Sequence, residues 1–93
     1  VLSGSMEPEY HVGSVVYVEK SSIDDIEVGD VITFYINDNT VVTHRVIDKD
    51  DDTESFRTKG DANEIEDGGS VAYDKVVGKV VLNVPLSFLI VIQ

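Results

Sequence analysis

One short polar segment, Asn37-Asp38-Asn39-Thr40, constrains the fold of this chain more than any other feature. Asn and Asp tolerate positive φ, so their succession between two β-prone runs predicts a tight hairpin turn. The flanking runs, residues 31–36 and 41–48, are rich in β-branched and aromatic side chains, which favour strands. The segment therefore predicts an antiparallel hairpin at the centre of a β-structure.

The rest of the chain repeats this alternation of short strands and turns. Further strands are predicted at residues 14–19, 55–59, 71–73 and 76–84, with Pro85 ending the last one, and an acidic turn at residues 49–53. Only residues 21–26 carry a helical signal, one turn capped by Ser22. This pattern predicts an all-β fold: a small, partly open barrel or sandwich of short antiparallel strands with little helix. Residues 1–93 are long enough for one such domain.

Composition excludes several classes of function. Seven basic and eighteen acidic residues give a net charge of −11, which repels nucleic-acid phosphates, so we expect no nucleic-acid partner. The absence of Cys excludes disulfides, thiolate metal sites and cysteine nucleophiles. The consecutive acids of Asp48-Lys49-Asp50-Asp51-Asp52 lack the spacing of a calcium loop and are interpreted as a solvated hairpin tip. We therefore expect neither a metal nor a cofactor.

The residues able to do chemistry are concentrated in Ser3-Gly4-Ser5-Met6-Glu7-Pro8 and at His44. The Gly and Pro give this segment an irregular backbone that can hold a serine oxygen toward a ligand. A serine hydroxyl needs a base to take its proton during attack on a carbonyl, and imidazole is suited to that work. His44 shares a strand face with Val42 and Val46, so the simplest alternative is a hydrogen-bonded core residue. The other histidine, His11, is interpreted as a surface residue.

A carboxylate is also required, to fix the imidazole tautomer and stabilise the cation that forms. Acids are abundant in this chain, so the presence of one is not evidence. Asp61 and Asp67 are distinguished by lying in the glycine-bounded loop that follows the two hairpin strands. The residues alone leave the choice between them open.

Three motifs in this order resemble the type I signal peptidases: the Ser-Gly-Ser segment, Val42-Thr43-His44-Arg45-Val46-Ile47, and Thr58-Lys59-Gly60-Asp61-Ala62-Asn63. The resemblance is to the branch found in archaea, some sporulating Gram-positive bacteria and the endoplasmic-reticulum catalytic subunit, which has a His base in place of Lys. It extends from the first residues to Gly78-Lys79-Val80. Ala62 departs from the pattern, because a polar Asn is frequent at that position.

This resemblance implies a serine endopeptidase that removes signal peptides from secretory preproteins after a small residue. Ser5 matches the nucleophile and His44 the general base. Asp67 is expected to orient His44, with Asp61 supporting the site. The Ser3 hydroxyl and the Ser5 backbone N–H are expected to form the oxyanion hole.

The substrate is expected to bind as an extended peptide along a strand edge next to Ser5, using backbone hydrogen bonds. The residues assigned to this substrate site are Met6, Val41, Val42 and Thr43, with Met6 packing beside the nucleophile. Shallow apolar pockets would admit Ala and exclude larger side chains.

The resemblance also implies a membrane-anchored protein whose catalytic domain lies on the extracytoplasmic or lumenal face. No apolar run reaches 18 residues, so the expected anchor would precede Val1 in a longer protein. The apolar tail Leu86-Ser87-Phe88-Leu89-Ile90-Val91-Ile92 is expected either to lie on the bilayer or to form a buried last strand.

Two alternatives remain, and the first of them comes from a different functional class. In the first, the chain is a non-catalytic β-barrel that binds peptides or proteins, Ser-Gly-Ser is a plain turn, and His44 is a core residue. In the second, it is a self-cleaving repressor-type protease with a Lys base. The second lacks support, because His44 occupies the strand position where that Lys would be required.

Overall fold

The computed structural model describes residues 4–9 and 15–84, and in them an all-β fold. Six strands follow one another along the chain: β1 (Val15–Glu19), β2 (Val31–Asn37), β3 (Thr40–Asp50), β4 (Ser55–Lys59), β5 (Val71–Ala72) and β6 (Val76–Val84). Two single-turn 3-10 helices, Ile23–Asp25 and Tyr73–Lys75, are the only helical elements in this part of the chain. The predicted all-β class with little helix is confirmed.

Most predicted elements agree with the structure, and the differences lie at their ends. β4 and β6 have the predicted bounds, the β2–β3 turn falls at the Asn-Asp-Asn segment, and Ser22 caps the first 3-10 helix by accepting a hydrogen bond from the Asp24 N–H. The acidic turn begins later than predicted, because Lys49 and Asp50 pair with β4 and extend β3. Tyr73 begins the second 3-10 helix instead of ending a strand.

The strands form one open sheet in the order β1-β6-β2-β3-β4-β5, and all neighbours are antiparallel. The register shifts once in each of the pairs β1–β6, β2–β3, β2–β6 and β3–β4. Such irregularities bend strands and increase their twist. Gly78 permits one close approach: a Cβ at this position would lie 2.2 Å from the Glu19 carbonyl oxygen.

The hydrophobic core is divided into two clusters. The larger comprises Ile26, Ile32, Phe34, Val46, Phe56 and Val71. The smaller pairs Met6 with Val31, and Val16 and Val80 pack against it. Because Met6 is only 2% exposed, the smaller cluster attaches the segment around Ser5 to the sheet.

Four predictions fall on residues outside the described part of the chain: the oxyanion-hole role of Ser3, the start of the first strand at Ser14, the surface position of His11 and the placement of the tail at residues 86–92. Within residues 4–9 and 15–84, no helix has the length and apolar character needed to cross a bilayer.

Candidate active site

Ser5, His44 and Asp67 form a continuous hydrogen-bonded line. The Ser5 Oγ lies 3.1 Å from His44 Nε2, and His44 Nδ1 lies 2.6 Å from Asp67 Oδ2. The His44 side chain is 13% exposed and that of Asp67 is 30% exposed. A neutral imidazole protonated at Nδ1 donates to the carboxylate and leaves the Nε2 lone pair free to accept the serine proton. This arrangement can therefore activate a serine hydroxyl.

Ser5 is held by the loop that follows β4. Its carbonyl oxygen accepts a 2.7 Å hydrogen bond from the Ala62 N–H. Gly60 lies so close that a Cβ there would be 2.7 Å from the same oxygen and 3.0 Å from the Ser5 Cβ. The glycine is thus required by the close approach of two backbones.

Met6, the residue after Ser5, also attaches this segment to the loop after β4. Met6 is buried against Val31, and its sulfur accepts a 3.3 Å hydrogen bond from the Asp61 N–H. The turn is closed by the Glu7 N–H, which donates to the Gly4 carbonyl. Met6 was assigned to the substrate site as a residue that packs beside the nucleophile, and in this structure it is buried and holds the Ser5 backbone.

His44 is placed by β3, which lies inside the sheet. It stands opposite Ile32 of β2 in the antiparallel register. Its ring makes an edge contact with Phe34, with ring centroids 6.5 Å apart and an interplanar angle of 71°. The strand pairing and the aromatic contact restrict the imidazole to an orientation in which both nitrogens meet polar partners.

Asp67 is attached to β4 through Thr58. The Asp67 N–H donates to the Thr58 carbonyl at 2.9 Å, and the Thr58 hydroxyl donates to Asp67 Oδ2 at 2.6 Å. Next to it, an ion pair joins Arg57 to Glu66. Sequence reasoning missed Thr58, whose only signal was its place in the motif Thr58-Lys59-Gly60-Asp61-Ala62-Asn63.

Asp61 has a different partner, the guanidinium of Arg45. Arg45 Nε donates to Asp61 Oδ1 at 2.8 Å and Nη2 donates to Oδ2 at 2.7 Å, a bidentate pair. Arg45 Nη1 also donates to the Gly29 carbonyl at 2.7 Å. The hydrogen bonds from Arg45 lower the pKa of Asp61 against the opposing effect of burial, with smaller contributions from the charges of Arg45 and Lys59. Sequence reasoning did not assign Arg45 a role. Because Arg45 follows His44 directly in β3, its side chain points to the opposite face of the sheet.

The remaining predicted residues occupy three different environments. Val42 is half-buried against the larger core, whereas Val41 is 50% exposed. The Thr43 hydroxyl is hydrogen-bonded to that of Thr33 at 2.8 Å. Ser3, predicted for the oxyanion hole, lies outside the described residues.

A cleft of about 540 Å³ opens beside His44 and Asp67. Its walls include apolar side chains of Phe34, Val42 and Val71, together with the Gly68-Gly69-Ser70 segment. Small apolar surfaces next to a few polar groups are typical of ligand sites. Among the described residues, no group of three or more His, Asp or Glu is arranged to hold a metal ion.

β3 also presents a partly unpaired backbone beside this cleft. β2 pairs with β3 from Thr40 to Arg45, whereas β4 pairs with it only from Arg45 onward. Within the described part of the chain, residues 40–44 therefore have a neighbouring strand on one side only. An unpaired edge of this kind can accept an extended peptide.

Comparison with known proteins gives a consistent set of relatives. Signal peptidase I W of Bacillus subtilis is 46% identical over 79 residues, which cover 82% of this chain and 42% of that protein. The human signal peptidase complex catalytic subunit SEC11C is 40% identical over 73 residues, 74% of this chain and 38% of that protein. This chain thus spans about two fifths of the length of these relatives. No family model matches it.

Proposed function

This chain is a homologue of the signal peptidases, and from that premise we propose that it is a serine endopeptidase that removes signal peptides from secretory preproteins. The line from Ser5 through His44 to Asp67 is the observation that carries the proposal. A core histidine in a binding module would need hydrogen-bond partners, but it would not need a serine hydroxyl on one nitrogen and a carboxylate on the other.

In the proposed reaction, the Ser5 Oγ attacks the carbonyl carbon of the scissile peptide bond while its proton passes to His44 Nε2. Asp67 stabilises the imidazolium that forms, and His44 then gives the proton to the leaving amine. Water, deprotonated by the same imidazole, hydrolyses the acyl-enzyme and frees Ser5. The Ser5 backbone N–H and the Ser3 hydroxyl are assigned to the oxyanion hole, where the loss of one donor typically lowers the rate by about 10²- to 10³-fold.

Asp61 supports the reaction without touching the reacting atoms. Its ion pair with Arg45 ties the loop that holds Ser5 to the strand that carries His44. Because Ala62 binds the Ser5 carbonyl from the same loop, the ion pair helps to set the distance between nucleophile and base.

The substrate is proposed to lie as an extended peptide along the unpaired edge of β3, next to Val41, Val42 and Thr43. Alternate side chains of such a peptide would face the cleft, which begins at Val42 and His44. A limited apolar space favours small side chains before the cut. We further propose that the protein is membrane-anchored with this site on the extracytoplasmic or lumenal face, and that residues 86–92 contact the bilayer.

The decisive test replaces the proposed nucleophile and base. Ser5→Ala and His44→Ala are each expected to lower the cleavage of a preprotein with Ala before the cut site by about 10⁴- to 10⁶-fold, because the two residues act as a unit. Cleavage is measured by gel shift and by N-terminal sequencing of the product. The matched control is Ser21→Ala, since the Ser21 hydroxyl donates to the Glu19 carbonyl, away from this line.

A serine-directed acylating probe separates the proposal from a non-catalytic binding module. We expect the probe to label the wild-type chain and Ser21→Ala at one residue, and not to label Ser5→Ala. Equal labelling of Ser5→Ala, or cleavage by it at the wild-type rate, would refute Ser5 as the nucleophile.

A further inference from the structure

We propose that Thr58 is a positioning residue for the active site, holding the Asp67 carboxylate against His44. This inference rests on the proposed function. It assigns a role to a buried hydroxyl on β4, a strand that carries neither the nucleophile nor the base.

The contact geometry carries the inference. The Thr58 hydroxyl and His44 Nδ1 both lie 2.6 Å from the same carboxylate oxygen, Asp67 Oδ2. The Asp67 carboxylate can rotate about χ1 and χ2, and the side chain is partly exposed. Two donors that converge on one oxygen remove that freedom and fix the oxygen in front of Nδ1.

Thr58 itself is well placed to serve as a fixed point. It is fully buried, and a β-branched side chain has restricted χ1 rotation. It stands opposite Val46, two residues after His44, in the register between β4 and β3. The base and the anchor of its acid are therefore held in adjacent strands of one sheet.

The backbone contact makes the hydroxyl separable by mutation. The Asp67 N–H donates to the Thr58 carbonyl, a bond that any side chain at position 58 allows. Thr58→Val keeps the shape and the backbone bond and removes only the hydroxyl. Thr58→Ser keeps the hydroxyl and removes only the methyl group, so it is the matched control.

We expect Thr58→Val to lower kcat by about 10- to 100-fold with KM unchanged, the effect of one hydrogen bond to a charged group. Thr58→Ser should stay within about 3-fold of wild type. In the Asp67→Asn background, Thr58→Val should add less than about 2-fold, because its effect passes through the carboxylate. A full and additive loss in that background would overturn the inference.

A spectroscopic readout keeps this test independent of the proposed function. In ¹H NMR, the His44 Nδ1 proton is expected at low field because its hydrogen bond is short. Thr58→Val should move this resonance upfield or broaden it, and Thr58→Ser should restore it. Thr58→Ala gives the same comparison if Thr58→Val fails to fold.

The outcomes separate the two proposals. If the wild-type chain does not cleave preprotein but the resonance responds as expected, the proposed function fails and Thr58 still positions Asp67. If the wild-type chain cleaves and Thr58→Val matches it in both kcat and resonance, the inference about Thr58 is wrong.

Discussion

Asp61 and Asp67 lie six residues apart in one loop, yet they have different partners. Asp61 receives a bidentate pair of hydrogen bonds from Arg45, whereas Asp67 receives single ones from His44 and Thr58. An Arg is permanently charged, so Asp61 has a fixed ion pair. In the proposed reaction His44 takes up the serine proton and becomes an imidazolium, so the partner of Asp67 changes its charge during the reaction. Because both residues are aspartates, the difference between them comes from the side chains to which each carboxylate is hydrogen-bonded.

The two ends of this loop also hold different parts of the site. Gly60 and Ala62, around Asp61, contact the backbone of Ser5. Asp67 contacts the imidazole of His44. His44 and Arg45 are consecutive in β3, so their side chains point to opposite faces of the sheet. One loop therefore supplies Asp67 to His44 and Asp61 to Arg45. We infer that the first part of the loop positions the proposed nucleophile and the last part positions the proposed base.

Among changes to the two loop acids, the largest expected effect comes from neutralising Asp67. Asp67→Asn should lower kcat by about 10³- to 10⁴-fold, because an amide neither stabilises the imidazolium nor enforces the Nδ1-protonated tautomer. The measurement is steady-state cleavage of the preprotein, with circular dichroism to verify the fold. Asp61→Asn is the matched control, since it makes the same change in the same loop. A larger loss in Asp61→Asn than in Asp67→Asn would invert the comparison.

A smaller effect on activity, together with an effect on stability, is expected for Asp61. Asp61→Asn should lower kcat by only about 10-fold, because Ser5 keeps its bond to Ala62 but the loop loses its tie to β3. It should also lower the free energy of unfolding by about 1–2 kcal/mol, a value suited to a partly exposed pair. Urea unfolding with an unchanged m-value measures this loss.

Arg45→Gln provides the control for that variant. If loss of the ion pair lowers both kcat and the free energy of unfolding, the double variant Asp61→Asn/Arg45→Gln should be close to the less active and less stable of the two single variants. Full additivity would mean that the two side chains act separately, and the proposed role of the pair would be wrong.

The fold was predictable from local pattern wherever strand-favouring residues were followed by a turn signal or Pro. β4 and β6 have their predicted bounds because Phe56 and Thr58 in β4 and the valines of β6 favour strands, and Gly60-Asp61 and Pro85 follow them in the sequence. The end of β3 was missed because Lys49 and Asp50 have little strand preference of their own. They are held there by pairing with β4, and Lys49 Nζ donates to the carbonyls of Ile23 and Ile26. Such tertiary contacts cannot be predicted from the local sequence pattern.

The candidate site was predictable to a similar degree. Ser5 and His44 were identified because few residue types can act as nucleophile and base, and the order of motifs strengthened the choice. The spacing of Asp61 and Asp67 did not by itself specify their partners, because a loop can direct either carboxylate to either face of β3. Thr58 and Arg45 were not assigned roles because a hydroxyl and a guanidinium are common groups, and only their distances to the two carboxylates distinguish them.

The smallest expected effect is the dependence of stability on acid pH, and it tests the ion pair between Asp61 and Arg45. Arg45 holds the pKa of Asp61 below its usual value of 3.8, so the ionised carboxylate is favoured in the folded state. The resulting stabilisation is fully present above about pH 4 and is lost as the pH falls through the lowered pKa. The difference in unfolding free energy between wild type and Asp61→Asn should therefore shrink below pH 4, as urea titrations at several pH values would measure.

The matched control is Asp38→Asn in the exposed β2–β3 turn, which makes the same change in net charge. Its difference from wild type should stay small at every pH, because Asp38 lies at a solvated turn where charges interact weakly. If the gap between wild type and Asp61→Asn stayed constant down to pH 2, the pKa of Asp61 would not be lowered in the folded state. Asp61 would then have no electrostatic role in holding the loop to β3.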